Sequence, residues 1–156
     1  MRWAAPLAPG RALDVASGGG RHASHLASLG HEVTAIDREP ARLPGVRCVQ
    51  ADLEDGKPWP LGEKRFDLVV VVNYLHRPLF PALASAIAPG GRLVYETFMA
   101  GNERFGRPAN PAFLLKPGEL WAAFDGLQVI AFEQGRAGAP APAMRQRICA
   151  WRPPNG

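Results

Sequence analysis

Apolar positions along the chain fall into short runs separated by Gly, Pro and polar residues. Ala12–Ala16 is the first such run, and Ser17–Gly20 breaks it. Ala23, Leu26 and Ala27 then recur at i, i+3 and i+4, which predicts a helix over Gly20–Leu29 with Gly30 as its stop. Val33–Ile36 predicts a second strand ending at Asp37. Pro40 and Pro44 bracket Arg38–Leu43 and leave room for a short helix at most. Val46–Val49 predicts a third strand, running into Ala51-Asp52-Leu53, and residues 54–65 predict a loop around Gly56, Pro58, Pro60 and Gly62. Phe66–Val72 is the strongest strand, because the unbroken valines Val69 to Val72 imply burial on both faces. Leu79, Leu83 and Ile87 predict a helix over Leu79–Ala88, closed by the turn Pro89-Gly90-Gly91 before a fifth strand at Arg92–Phe98. Residues 99–115 are irregular, Pro117–Phe124 opens a short helix, and Leu127–Glu133 and Met144–Trp151 predict two final strands.

Alternation of strand and helix predicts an α/β fold, a mainly parallel sheet with helices on its faces. The 156 residues hold no internal repeat or long linker, which suits one domain over 1–156. Hydrophobic residues make up 47% and charged ones 21%, a globular balance. No apolar run approaches the roughly 18–20 residues of a membrane span, so no membrane partner is expected. Met1–Gly10 lacks the apolar core of a signal peptide, which favours the cytoplasm. Cys48 and Cys149 sit in strand-like runs and read as two buried thiols. The formal charge is +4, carried almost wholly by Arg, since Lys occurs only at 57, 64 and 116. The abundance of Arg, Ala, Gly and Pro matches a GC-rich coding sequence, which weakens the charge as a sign of nucleic acid. The excess nevertheless gathers in the last third, around Arg104, Arg107, Arg136, Arg145 and Arg147. A solvated face is the plain reading and an anionic or RNA partner the sharper one.

The chemistry centres on Leu13-Asp14-Val15-Ala16-Ser17-Gly18-Gly19-Gly20, between the first strand and the first helix. Glycines there let the backbone turn sharply and approach a ligand. Asp37 ends the second strand, where a carboxylate accepts hydrogen bonds from ribose hydroxyls; Arg38 follows it. Asp52 with Leu53 ends the third strand, a pair suited to an adenine amine and ring. Asn73 ends the fourth. These positions all lie at carboxyl ends of consecutive strands, where open parallel sheets bind ligands. Gly18-Gly19-Gly20 argues against NAD, since Ala23 is only just able to serve as the last small residue of G-x-G-x-x-G/A.

The layout from Leu13 to about Trp151 resembles the class I S-adenosylmethionine-dependent methyltransferases. Their first motif, an acid followed by glycines at alternate positions, reads here Asp14-x-Ala16-x-Gly18-x-Gly20, with Ala in the first glycine position. The resemblance implies a Rossmann-like, mainly parallel seven-stranded sheet with a C-terminal antiparallel hairpin and helices on both faces. It implies S-adenosylmethionine as cofactor and S-adenosylhomocysteine as product. Asp14, Ala16, Gly18 and Gly20 then serve the methionine part, Asp37 and Arg38 the ribose side, Asp52 with Leu53 the adenine, and Asn73 the methyl-transfer end. Arg21-His22, Glu96-Thr97-Phe98, Arg104–Pro108 and Leu115–Leu120 look like the tellurite-resistance-type branch, which acts on small molecules. A small-molecule acceptor is therefore expected. The alternatives are an RNA or protein methyltransferase, with nucleic acid possible but not favoured, and a non-catalytic binding module of the same fold.

Because the sulfonium methyl is already activated, transfer is a direct displacement that needs alignment more than a fixed triad. Candidates around the acceptor are Asn73, Tyr74, His76, Arg77, Glu96 and Arg104. His76 reads as a general base or as a packing histidine. His22, His25 and His31 are spaced H-x2-H-x5-H and read as surface histidines rather than metal ligands, so no metal is expected. Asn73-Tyr74-Leu75-His76 lacks the Asn/Asp-Pro-Pro-Tyr/Phe motif of amino-methylating nucleic-acid enzymes, and neither Cys follows a Pro as a cytosine-C5 nucleophile does. The first strand begins near residue 11, without the helices that commonly precede it. This predicts a minimal, open site, completed by a partner chain or closed by the 99–115 loop.

Overall fold

The computed structural model describes residues 8–138 and 141–154. Its strands are β1 (Arg11–Val15), β2 (Glu32–Asp37), β3 (Val46–Gln50), β4 (Phe66–Val72), β5 (Ile87–Phe98), β6 (Gln128–Ala137) and β7 (Ala143–Trp151). Its α-helices are α1 (Arg21–Ser28), α2 (Phe80–Ser85) and α3 (Glu119–Ala123). The sheet runs β3-β2-β1-β4-β5-β7-β6. Strands β1 to β5 are parallel, and β7 runs antiparallel to β5 on one side and β6 on the other. This is the Rossmann-like sheet with a C-terminal hairpin that the sequence predicts.

Two-residue alternation along β1 divides the core. Leu13 and Val15 join Val69, Val71, Leu83, Leu120 and Phe124 under α2 and α3, while Ala12 joins Val33, Val70, Ala23 and Leu26 under α1. The valines Val69, Val70 and Val71 are fully buried because they feed both clusters in turn. Helices thus cover both faces.

Some expectations need correction. Ile87 does not continue a helix: α2 stops at Ser85, and Ile87 opens β5 by pairing with Phe66. Its spacing of four from Leu83 mimics a helical stripe, but both side chains reach the same core layer from different elements. Pro89-Gly90-Gly91 is an irregularity inside β5, and a Cβ on Gly91 would lie 2.9 Å from the carbonyl oxygens of both Ala88 and Phe66. Arg38–Leu43 forms no helix and lies across the glycine turn, with the Ala41 N–H donating to the Gly18 carbonyl at 3.4 Å. His31 is buried rather than superficial, and its Nδ1 accepts the Gly10 N–H. Cys149 is buried as expected, but Cys48 is only half-buried.

The 99–115 segment is tied down along its length. Met99 and Leu115 form a parallel bridge, and the Ala100 N–H donates to the Leu115 carbonyl at 2.8 Å. Asn102, 1% exposed, donates to the Pro108 carbonyl and accepts the Met144 N–H. These bonds hold the segment over the carboxyl ends of β4 and β5.

Candidate active site at the strand switch point

Strand order reverses between β1 and β4, the crevice where such sheets bind ligands. The chain is contorted on both sides of it. Ala16 after β1 and Asn73 after β4 both adopt a left-handed conformation, each with φ 57°. For non-glycine residues this costs about 1–2 kcal/mol each, and such strain gathers at functional sites. Gly18, also left-handed, and Gly19 face open space, so the turn leaves room for a ligand against its backbone. Gly20, left-handed as well, is closely packed. A Cβ there would collide with Leu43 Cδ1, so its absence lets the Arg38–Leu43 segment lie against the start of α1.

Beneath this turn lies Asp14, 2% exposed on the α1 face of β1. Burial pushes its pKa up to about 7, against the pull of the Ala23 N–H, and Asp37 adds a smaller repulsion. Among the described residues its Oδ2 has no hydrogen-bond partner. A buried carboxylate oxygen without a partner is costly unless a ligand completes it.

Two cavities flank the crevice. The smaller, about 90 Å³, is lined by Ala16, Asp37, Arg38, Ala51, Asp52, Leu53, Glu54 and Tyr74. It shares Arg38, Ala51 and Asp52 with an open groove of about 530 Å³ along the 52–60 loop. Asp37 and Asp52 are each oriented by their own turn: Asp37 Oδ2 accepts the Glu39 N–H and Asp52 Oδ1 the Glu54 N–H. The other oxygen of each makes no hydrogen bond among the described residues. Glu54, not singled out from the sequence, accepts the Tyr74 hydroxyl at 2.9 Å and faces His76 Nδ1 at 3.6 Å. Burial and that carboxylate hold the Tyr74 phenol above its ordinary pKa, so it stays protonated.

The larger cavity, about 490 Å³, opens on the other side of Asn73. It is lined by Arg21, His22, Val72, Asn73, Glu96, Phe98, Asn102, Phe105, Arg107 and Arg145, with 141–143 at one edge. Arg145 organises it. Its guanidinium donates to Asn73 Oδ1 at 2.6 Å and to Glu96 Oε2 at 2.8 Å, and it lies 4.6 Å over the Phe98 ring. With Asn73 Oδ1 occupied, its amide NH₂ is left as a donor. Glu96 also meets Arg147 at 3.2 Å. His22, expected on the surface, lines this cavity; burial and then Arg21 hold its pKa below the ordinary value, while Glu96 pulls the other way.

The expected site residues therefore separate. Asn73 and Glu96 share the larger cavity, Tyr74 belongs to the smaller one, and His76 stands beside it through Glu54. Arg104 lies outside both, its Nε turned back to the Gly101 carbonyl at 3.3 Å. Arg77 is a clamp: it grips Glu119 through two bonds of 2.6 and 2.9 Å and caps the Ala112 and Leu114 carbonyls. Arg21, His22 and Arg107 lie in stretches that resemble the tellurite-resistance-type branch, but the sequence assigns them no role at the acceptor side, and Arg145 stands in it only as part of a general Arg excess. Among the described residues no three His, Cys, Asp or Glu side chains are grouped to hold a metal ion.

Carboxylates at the end of β2 and just past β3, a glycine turn over a buried acid, and a switch-point crevice define an α/β protein of the doubly wound, ligand-binding class. A methyltransferase-domain family model matches residues 13–94, and the chain belongs to that family, the class I S-adenosylmethionine-dependent methyltransferases. It is 37% identical over 105 residues to a ubiquinone biosynthesis O-methyltransferase of Xanthomonas oryzae pv. oryzae, covering 58% of this chain and 44% of that protein. An uncharacterized methyltransferase of Mycobacterium tuberculosis, Rv3342, is 31% identical over 99 residues, covering 58% and 41%. The chain thus spans less than half the length of the curated relatives it matches. TehB from Haemophilus influenzae superposes with a TM-score of 0.77 at 14% identity, covering 97% of this chain and 60% of that one. An S-adenosylmethionine-dependent methyltransferase from Mesorhizobium loti gives 0.72 at 19% identity, covering 94% and 93%. At such identities these two establish the fold.

Proposed function

We propose that the chain transfers a methyl group from S-adenosylmethionine to a small-molecule acceptor. The observation that carries this is the buried, unpartnered Asp14 oxygen beneath an open glycine turn, in line with two half-free carboxylates at Asp37 and Asp52. In this reading Asp14 and the Ala16–Gly20 turn hold the methionine part. Asp37 and Arg38 hold the ribose, and Asp52 with Leu53 the adenine. Tyr74 walls the nucleoside and Asn73 stands at the methyl-transfer end.

The bound cofactor supplies an activated methyl on a sulfonium. The chain's own residues supply alignment and a place for a proton. Phe98, Val72 and Asn73 shape the acceptor side, and the Arg145 bond to Asn73 fixes which way its amide donates. His22 is held neutral and accepts the proton of an acceptor hydroxyl or amine. Glu96, held by Arg145 and Arg147, favours the imidazolium once the proton has moved to it. No helix among the described residues is long and apolar enough to cross a membrane. The cytoplasm is the proposed location, in keeping with two unpaired cysteines.

Calorimetric titration with S-adenosylmethionine, with NAD, and with an Asp37→Ala variant tests the reading. Micromolar binding of the methyl donor is expected, absent for NAD and weakened roughly 10- to 100-fold in the variant, the loss of about 1.5–3 kcal/mol for hydrogen bonds to a charged group. A folded chain that binds neither ligand contradicts it.

A further inference from the structure

The larger cavity carries more charge than its own contacts consume. Its lining holds Arg21, Arg107 and Arg145 against one acid, Glu96. Arg145 and Arg147 together neutralise Glu96, at 2.8 and 3.2 Å. Arg21 and Arg107 make no ion pair with any described residue, so two guanidinium groups border the cavity uncompensated.

Beside these charges and the polar His22, Asn73 and Asn102, the lining carries two aromatic rings, Phe98 and Phe105. Arg145 over Phe98 at 4.6 Å and Arg136 over Phe105 at 5.3 Å each cover one ring face, so both rings stand as fixed walls. Asn102 bonds the segment that brings Phe105 and Arg107 there to Met144 in β7. A volume of about 490 Å³ matches one small molecule.

Resting on the methyl-transfer reading above, we infer that the acceptor is a flat organic anion, a carboxylate on an aromatic or conjugated body. Its ring packs between Phe98 and Phe105 and its carboxylate meets Arg21 and Arg107. Guanidinium groups bind carboxylates through paired hydrogen bonds, and the open rim leaves both side chains free to reach one.

The test is a binding series with 4-hydroxybenzoate, 4-hydroxycinnamate and anthranilate, each against its neutral amide. Calorimetry is run with and without saturating S-adenosylhomocysteine, on the native chain and on Arg107→Gln and Arg21→Gln. Both arginines are exposed, and thermal melts confirm that the variants fold. At least one acid is expected to bind ten-fold or more tightly than its amide, with the gap falling to two-fold or less in Arg107→Gln. Acids that bind no better than their amides, or a gap that survives both substitutions, overturns the inference. So does a 20-nucleotide RNA hairpin that binds more tightly than every acid. The two readings fail separately. An acid preference without S-adenosylhomocysteine binding supports the anion site and sinks methyl transfer, and the reverse result sinks the anion site alone.

Discussion

The two cavities flanking Asn73 are built by opposite means. On the Asp37–Asp52 side each acid is oriented by a bond two residues along the chain, and one oxygen is left over. On the Glu96 side the acid is fully paired, and its partners lie far away in sequence: Arg145 is 49 residues from Glu96 and 72 from Asn73. The first half is local, and leaves one carboxylate oxygen of each acid without a hydrogen bond among the described residues. The second is non-local and internally satisfied, and its spare charge sits only at the rim. One cavity is thus set by strand ends and turns, the other by how β4, β5, β7 and the 99–115 segment come together.

Asp14→Asn should separate the two halves by the widest margin. The ordinary carboxyl pKa of 3.8 rises to about 7 in the folded chain, so the folded state holds its proton longer than the unfolded one. Stability is therefore highest below about pH 4, falls as pH rises to about 7, and is flat above. The gap corresponds to up to about 4 kcal/mol, at about 1.4 kcal/mol per pH unit. Urea melts at pH 8 should show the variant more stable by a few kcal/mol and its pH slope reduced. The same variant should lose S-adenosylhomocysteine binding. In the native chain that binding should weaken about tenfold per pH unit below 7, because the methionine ammonium needs the ionised acid. A variant that is both less stable and still competent to bind would break the assignment of Asp14.

Asn102→Ala comes next. Losing two hydrogen bonds in a residue 1% exposed should cost about 2–3 kcal/mol in denaturant titration. It should weaken acceptor-side binding and leave S-adenosylhomocysteine affinity within about twofold. Equal damage to both affinities would erase the distinction between the halves. Glu96→Gln should cost about 1 kcal/mol, since its side chain is 29% exposed and its ion pairs are partly screened. It should also tighten binding of anions in the larger cavity by leaving Arg145 and Arg147 less compensated. The smallest effect belongs to Ala16→Gly, where relief of a left-handed Ala is partly offset by a more flexible unfolded chain. A gain below about 1 kcal/mol in thermal melts is expected.

Legibility in the sequence follows the same division. The Asp14–Gly20 turn, Asp37 and Asp52 are readable because strand ends and glycine breaks are local signals. Phe66–Val72 is readable to the residue, since the run Leu68 to Val72 is the apolar signature of a central strand covered on both faces. Ile87 reads as helical because its spacing of four from Leu83 fits a helix, and only its pairing with Phe66 shows otherwise. His22 follows the glycine turn in a helix, and nothing local distinguishes it from His25, which is exposed. Arg77 reads as an acceptor-side candidate because it follows the fourth strand closely, whereas Arg145 is one arginine among many in the last third. The former reaches Glu119, 42 residues on, and the latter Asn73 and Glu96. Such contacts depend on which strands become neighbours, and no periodicity records that.

Whether the glycine turn and the strand-end acids hold the nucleoside is decided by a two-dimensional ¹⁵N–¹H NMR titration of the labelled chain with S-adenosylhomocysteine. The amides of Gly18, Gly19, Asp37, Asp52 and Leu53 should shift most, with those of the outer hairpin at Gln134–Arg136 still. Shifts confined to the hairpin, or none from a folded chain, would show that the nucleoside is held elsewhere or not at all.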